Sequence, residues 1–87
     1  MTSQDLQAIV VSTARQVFSA KTKPEIAAIL AEPDFEFERL GADSIDITEF
    51  CFQVEEQLDI EIETADVFDH PTLSAFVSML ESRKKAA

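Results

Sequence analysis

From Asp43 to Leu58 the chain reads DSIDITEFCFQVEEQL, and Ile47, Phe50, Cys51, Val54 and Leu58 recur in it at steps of three and four residues. That spacing gathers five apolar side chains on one face of a helix, behind two strong capping residues, Asp43 and Ser44. The pattern predicts a helix starting near Ser44 and a fold built on helices. Two residues before the cap stands Gly41, the one glycine of the chain, so its most permissive backbone position falls at the entry to this helix.

Working outward, SQDLQAIVVSTARQVFSA from Ser3 to Ala20 sets Leu6, Ile9, Val10, Ala14, Val17 and Phe18 at helical spacing behind a serine cap and an acidic first turn, which predicts the first helix. Pro24 and Pro33 interrupt Lys21 to Gly41, so a helical turn over Glu25 to Leu30 and then a long connection are expected, the latter anchored by Phe35, Phe37 and Leu40. Asp59 to Glu63 alternates like a strand but finds no second strand pattern to pair with, and reads as a loop. One or two helical turns are expected over Thr64 to Phe68. Pro71 and Thr72 then open a last helix with Leu73, Phe76, Val77 and Leu80 as its apolar stripe. Arg83, Lys84 and Lys85 complement its dipole at the C-terminal end. Three main helices and one short one are expected.

With 87 residues the chain is expected to form one domain, 1–87. A domain this small hides only roughly 60% of its unfolded surface, which leaves no interior for a deep substrate pocket. Seventeen Asp and Glu against seven Lys and Arg give a net charge of −10, which repels nucleic acid and anionic membranes and favours basic partners. Eleven of those acids and no Lys or Arg fall between Leu40 and Ser82. The single cysteine forms no internal disulfide and lies on the apolar face of the Ser44 helix, so it reads as a core residue. No leader or long apolar run is recognised, and the expected compartment is the cytosol.

Other chemistries fail on spacing. A calcium loop read from Glu36 would put Leu40 at a ligand position and Ile47 where a Glu is required. A hydrolase triad of Ser44, His70 and an Asp lacks the nucleophile elbow and a cleft. His70, before Pro71, reads as a boundary residue of the last helix and has no second ligand for zinc, so no metal is expected. Ser44 itself, at a helix start, would present a hydroxyl beside unpaired amides and the positive end of the dipole, a setting that welcomes a phosphate. Local physics alone leaves this open against simple capping.

Leu40-Gly41-Ala42-Asp43-Ser44-Ile45 resembles the Leu-Gly-x-Asp-Ser-Leu/Ile signature of acyl carrier proteins and related carrier domains, whose serine receives 4′-phosphopantetheine from coenzyme A. The resemblance extends in order and spacing through Gln53 to Leu58, Ile60 to Ile62 and Val67-Phe68-Asp69-His70-Pro71-Thr72-Leu73. It covers about the whole chain, most weakly over Lys21 to Glu38. The Phe-Asp-His-Pro-Thr-Leu stretch is more similar to carriers of polyketide and nonribosomal peptide systems, and Phe52 and Gln53 stand where many fatty-acid carriers have a smaller aliphatic pair.

The resemblance implies an all-α, small right-handed four-helix bundle with no catalytic activity of its own. Ser44 would be the attachment site, with Gly41 and Asp43 shaping the turn and Asp43 also helping the phosphopantetheinyl transferase to recognise its target. Cargo would ride as a thioester. Expected partners are that transferase, an acyl-activating enzyme, and ketosynthases and acyltransferases with basic docking surfaces. Asp46, Glu49, Glu55 and Glu56 are the candidate docking acids. Helical spacing puts Ile45 and Phe52, seven residues apart, on one line away from the core stripe, where they would form an apolar recognition patch. The chain is expected to be a monomer. An aminoacyl or peptidyl carrier, and a cofactor-free acidic adaptor, are the alternatives.

Overall fold

The computed structural model describes residues 2–18, 28–41 and 43–86. Four α-helices lie wholly among them: α1, Ser3–Phe18; α2, Ser44–Leu58; α3, Thr64–Asp69; and α4, Leu73–Ala86. A 3-10 helix, Phe37–Leu40, precedes α2. The fold is a small all-α bundle, as the periodicity requires, with α1 packed against both α2 and α4.

Each helix begins on a side chain that accepts one of its orphaned amides or stands next to one. For α1 that residue is Thr2 and not the serine read from the sequence: the Asp5 amide donates to Thr2 Oγ1 at 3.2 Å, and the Thr2 amide donates to the Asp5 carboxylate at 3.1 Å. This is a reciprocal capping box. Ser3 lies one residue inside, its hydroxyl donating to Glu81. At α4 the Ala75 amide donates to Thr72 Oγ1 at 3.2 Å.

Leu6, Val10, Ala14 and Phe18 of α1, the five α2 residues read from the spacing, and Leu73, Phe76, Val77 and Leu80 of α4 are all buried in one apolar cluster. Five phenylalanines form its centre. Phe50 stands 5.6 Å from Phe18, 5.6 Å from Phe37 and 5.8 Å from Phe76 between ring centroids. Phe35 and Phe76 meet Phe37 edge-on at 5.3 Å. Tilted and edge-on arrangements of this kind suit the ring quadrupoles.

The long connection ahead of α2 is fixed in place. Residues 28–30 are helical, while residues 25–27 of the expected turn lie outside the described residues. Phe35, Phe37 and Leu40 are buried as expected. The Leu73 amide donates to the Phe35 carbonyl and the Phe37 amide to the Pro71 carbonyl, both at 2.9 Å, which stitches the connection to the start of α4. Asp34 adds two bonds, accepting from the Ser74 amide at 2.7 Å and the Ser74 hydroxyl at 2.9 Å.

Asp59 to Glu63 is a loop, as read, with Ile60 and Ile62 turned into the core. The short helix after it spans Thr64–Asp69, and His70 closes it as C-cap by donating its amide to the Asp66 carbonyl at 3.0 Å. His70 therefore ends α3, and Thr72 caps α4. The basic residues at the C-terminus of α4 reach other elements: Lys84 Nζ donates to the Leu58 carbonyl at 2.9 Å, and Arg83 pairs with Asp66 of α3. The side chain of Lys85 is outside those described. No helix of the described residues is long and apolar enough to cross a membrane.

Candidate functional site

Gly41 adopts φ +63°, ψ 24°, the left-handed conformation that an L side chain enters only with strain. It closes the 3-10 helix by donating its amide to the Glu38 carbonyl, and it redirects the chain into α2. Space around the glycine is open. The backbone conformation, not crowding, is what requires glycine here. Ala42 lies outside the described residues.

Asp43 is the N-cap of α2. Its Oδ1 accepts the Asp46 amide at 2.9 Å, and its carbonyl accepts the first intrahelical bond, from Ile47. Since Asp43 occupies the cap, Ser44 is the first helical residue and its hydroxyl is not needed for capping. Ser44 is exposed, and among the described residues its hydroxyl has no hydrogen-bond partner. The positive end of the α2 dipole lies at this residue.

Four serines of the chain between residues 12 and 80 are described, and the other three sit differently. Ser12 donates to the Ile9 carbonyl within α1. Ser74, in the first turn of α4, is held at both its amide and its hydroxyl by Asp34. Ser78 lies in the middle of α4. Of these four described serines, only Ser44 combines an open hydroxyl, a helix start and a glycine-made turn.

One turn into α2, Ile47 forms part of an apolar depression of about 350 Å³ with Phe37, Glu38, Val67, Phe68 and Pro71. Phe68 is 71% exposed on α3. Sequence reasoning did not single it out, because a six-residue helix offers too few turns for a periodicity to show which face is bare. Ile45 and Phe52 are 77% and 53% exposed, where the helical spacing of α2 puts them. These three are the exposed large apolar side chains among the described residues.

The candidate docking acids divide. Glu49 and Glu56 are exposed on α2, Glu49 accepting from Gln53. Asp46 is half-buried beside the cap. Glu55 is half-buried too, and its Oε1 accepts the Ile62 amide at 2.8 Å, so this carboxylate also holds the loop after α2.

No group of three or more His, Cys, Asp or Glu among the described residues is arranged to hold a metal ion. The Cys51 thiol is buried, donates to the Glu63 carbonyl at 3.7 Å, and is pushed up to about 11 by burial and then by the nearby Asp66 and Glu55 carboxylates. A thiol in this setting is a poor nucleophile.

The chain matches the phosphopantetheine attachment site family over residues 12–80. It belongs to that family. No curated protein matches the chain at a significant level. Members of the phosphopantetheine attachment family carry 4′-phosphopantetheine covalently on a serine, act as carriers, and work with phosphopantetheinyl transferases and with the enzymes that load and process their cargo. The cofactor of this chain is therefore 4′-phosphopantetheine. The hydroxyl at the head of α2 has the exposure and the electrostatic setting that a phosphodiester needs.

Proposed function

We propose that residues 1–87 act as one non-catalytic acyl carrier domain in the cytosol, with Ser44 as the attachment serine. The observation that carries this reading is the contrast between Ser44 and Ser74. Both stand in the first turn of a helix, but Asp34 occupies the hydroxyl of Ser74, whereas Asp43 caps α2 through the Asp46 amide and leaves the hydroxyl of Ser44 open. Gly41 supplies the turn that presents it, and the dipole of α2 favours the negative charge of a diester there.

When bound, 4′-phosphopantetheine supplies a terminal thiol on a long flexible arm that holds cargo as a thioester. The chain itself supplies the address. Glu49 and Glu56, with Asp46, would steer basic enzyme surfaces, while Ile45 and Phe52 would hold the docked complex. Glu55, committed to the Ile62 amide, would contribute less. The apolar depression one turn from Ser44 favours an acyl cargo over an aminoacyl or peptidyl one, since its lining offers mostly hydrocarbon. Partners in this reading are a phosphopantetheinyl transferase, an acyl-activating enzyme, and ketosynthases and acyltransferases of fatty-acid or polyketide-type synthesis, which the chain would meet as a monomer.

The test is to modify the chain with coenzyme A and a transferase, load it with an acyl-activating enzyme, and treat the product with hydroxylamine. An acyl mass gain that hydroxylamine removes is the expected result. Loading by an amino-acid-activating enzyme alone would instead make the chain an aminoacyl carrier. Failure of the first modification would leave a cofactor-free acidic adaptor.

A further inference from the structure

The helix α3 is held differently from the other helices. It has six residues, too few for a helix to be stable without support, and only Asp66 and Val67 among them are buried. Phe68, its largest apolar side chain, faces solvent. Besides Val67, which reaches the apolar core, what fixes α3 is polar. Arg83 of α4 grips Asp66 with both arms, Nη1 to Oδ2 at 2.7 Å and Nη2 to Oδ1 at 2.8 Å. The same Nη1 also donates to the Glu61 carbonyl at 3.0 Å, and Asp66 Oδ2 accepts the Glu63 amide at 2.7 Å. One guanidinium thus ties together the loop before α3, its first turn and the C-terminal helix.

We propose that the Arg83–Asp66 pair is a latch that sets whether α3 is closed over the molecule, with Arg83 as its positioning residue. The Asp66 side chain is only 11% exposed and that of Arg83 39%. Losing Arg83 strands a nearly buried carboxylate, and the cheapest way to rehydrate it is to swing out the short element that carries it. Two consequences follow from what α3 covers. Val67 and Phe68 form one wall of the apolar depression near Ser44, so that wall moves with α3. The carbonyl of Glu63, immediately before α3, lies against the buried thiol of Cys51, so opening uncovers the one cysteine of the chain. The latch stands on packing and charge alone. It rests on the carrier reading only for what the depression would serve.

Cys51 is a built-in reporter. In the closed state its thiol is buried and strongly protonated, so a water-soluble disulfide reagent reacts with it only through opening. The experiment uses the full chain with Ser44→Ala, which keeps Cys51 the sole thiol, and measures labelling rates at several low urea concentrations. A local opening of α3 exposes little surface, so the rate should be nearly independent of urea, whereas exchange of the Val10 and Val54 core amides should show the full urea dependence of global unfolding. Arg83→Gln should raise the labelling rate about tenfold and keep it insensitive to urea. Arg83→Lys, which keeps the charge but not the two-armed grip, should fall between, and it serves if Arg83→Gln does not fold. Asp66→Asn in the Arg83→Gln background should bring the rate part of the way back toward that of the parent, because the stranded charge that drives the opening is gone. An Arg83→Gln rate equal to that of the parent overturns the latch. So does labelling with the same urea dependence as the core amides, which would make the pair a support of the whole fold. Failure of Ser44 to accept phosphopantetheine in a separate assay of the parent chain would overturn the carrier reading and leave these rates unaffected.

Discussion

The seven phenylalanines of this chain divide between two kinds of surface. Phe18, Phe35, Phe37, Phe50 and Phe76 interlock at the centre, where α1, α2, α4 and the connection before α2 meet. Phe52 and Phe68 stand on the outside of α2 and α3. The centre is held by area and shape, which are insensitive to pH and salt. The α3 edge puts one side chain, Val67, into the core and is otherwise held by one guanidinium and a few polar groups, which are sensitive to both. A stable frame carrying a conditionally attached edge beside an open serine suits a domain that must keep its fold while different enzymes handle it.

The largest expected effect comes from breaking the centre. Phe50→Ala removes a ring with three aromatic neighbours and should cost about 3 to 5 kcal/mol of unfolding free energy, read from a urea titration. A loss below about 1 kcal/mol would mean that the centre is not the frame. Next comes the edge. Arg83→Gln should cost about 1 to 2 kcal/mol, between the values for exposed and for fully buried ion pairs, because the pair is only partly shielded from water.

Acid sharpens the same contrast. The hydrogen bond from Arg83 holds the Asp66 carboxyl below its ordinary value of 3.8. A carboxyl whose folded pKa is depressed contributes stability above its unfolded pKa, and that contribution is lost as pH falls through the folded value. Parent stability should therefore drop below about pH 4, and Asp66→Asn should make that drop shallower. An identical acid limb in both proteins would show that the pair does not matter at the edge.

The smallest effects belong to the outer phenylalanines. Phe52→Ala and Phe68→Ala should each change stability by no more than about 0.5 kcal/mol. Phe52→Ala and Ile45→Ala should quicken dissociation from a partner enzyme, while Glu49→Lys or Glu56→Lys should slow association and weaken its salt dependence. Surface-plasmon kinetics at two salt concentrations separates the two. A Phe52→Ala variant that loses as much stability as Phe50→Ala would place Phe52 in the frame.

The frame was legible in the sequence and the edge was not, for a physical reason. Fifteen residues of α2 repeat their apolar step often enough to fix which side is buried, and the lone Gly41 ahead of Asp43 marked a turn that proves to need positive φ. The burial of Phe35, Phe37 and Leu40 was readable because apolar residues in a long connection must be covered by something. By contrast, Arg83 and Asp66 are seventeen residues apart in different helices, and nothing local distinguishes their pairing from the ordinary placement of cations at a helix C-terminus. Glu55 looked like any exposed acid of α2 until the loop folded back onto it. Thr2 took the cap expected of Ser3 because helix ends shift by a residue at little cost.

The central claim is that Ser44 is the residue that carries phosphopantetheine. Intact mass spectrometry of the parent chain and of Ser44→Ala, each incubated with coenzyme A and a phosphopantetheinyl transferase, tests it most directly. Asp43 rather than Ser44 caps α2, so the variant should keep its fold, and a circular dichroism spectrum matching the parent verifies this. The account predicts one phosphopantetheinyl group gained by the parent and none by the variant. A folded Ser44→Ala chain that still gains the group, or a parent that never does, would contradict it.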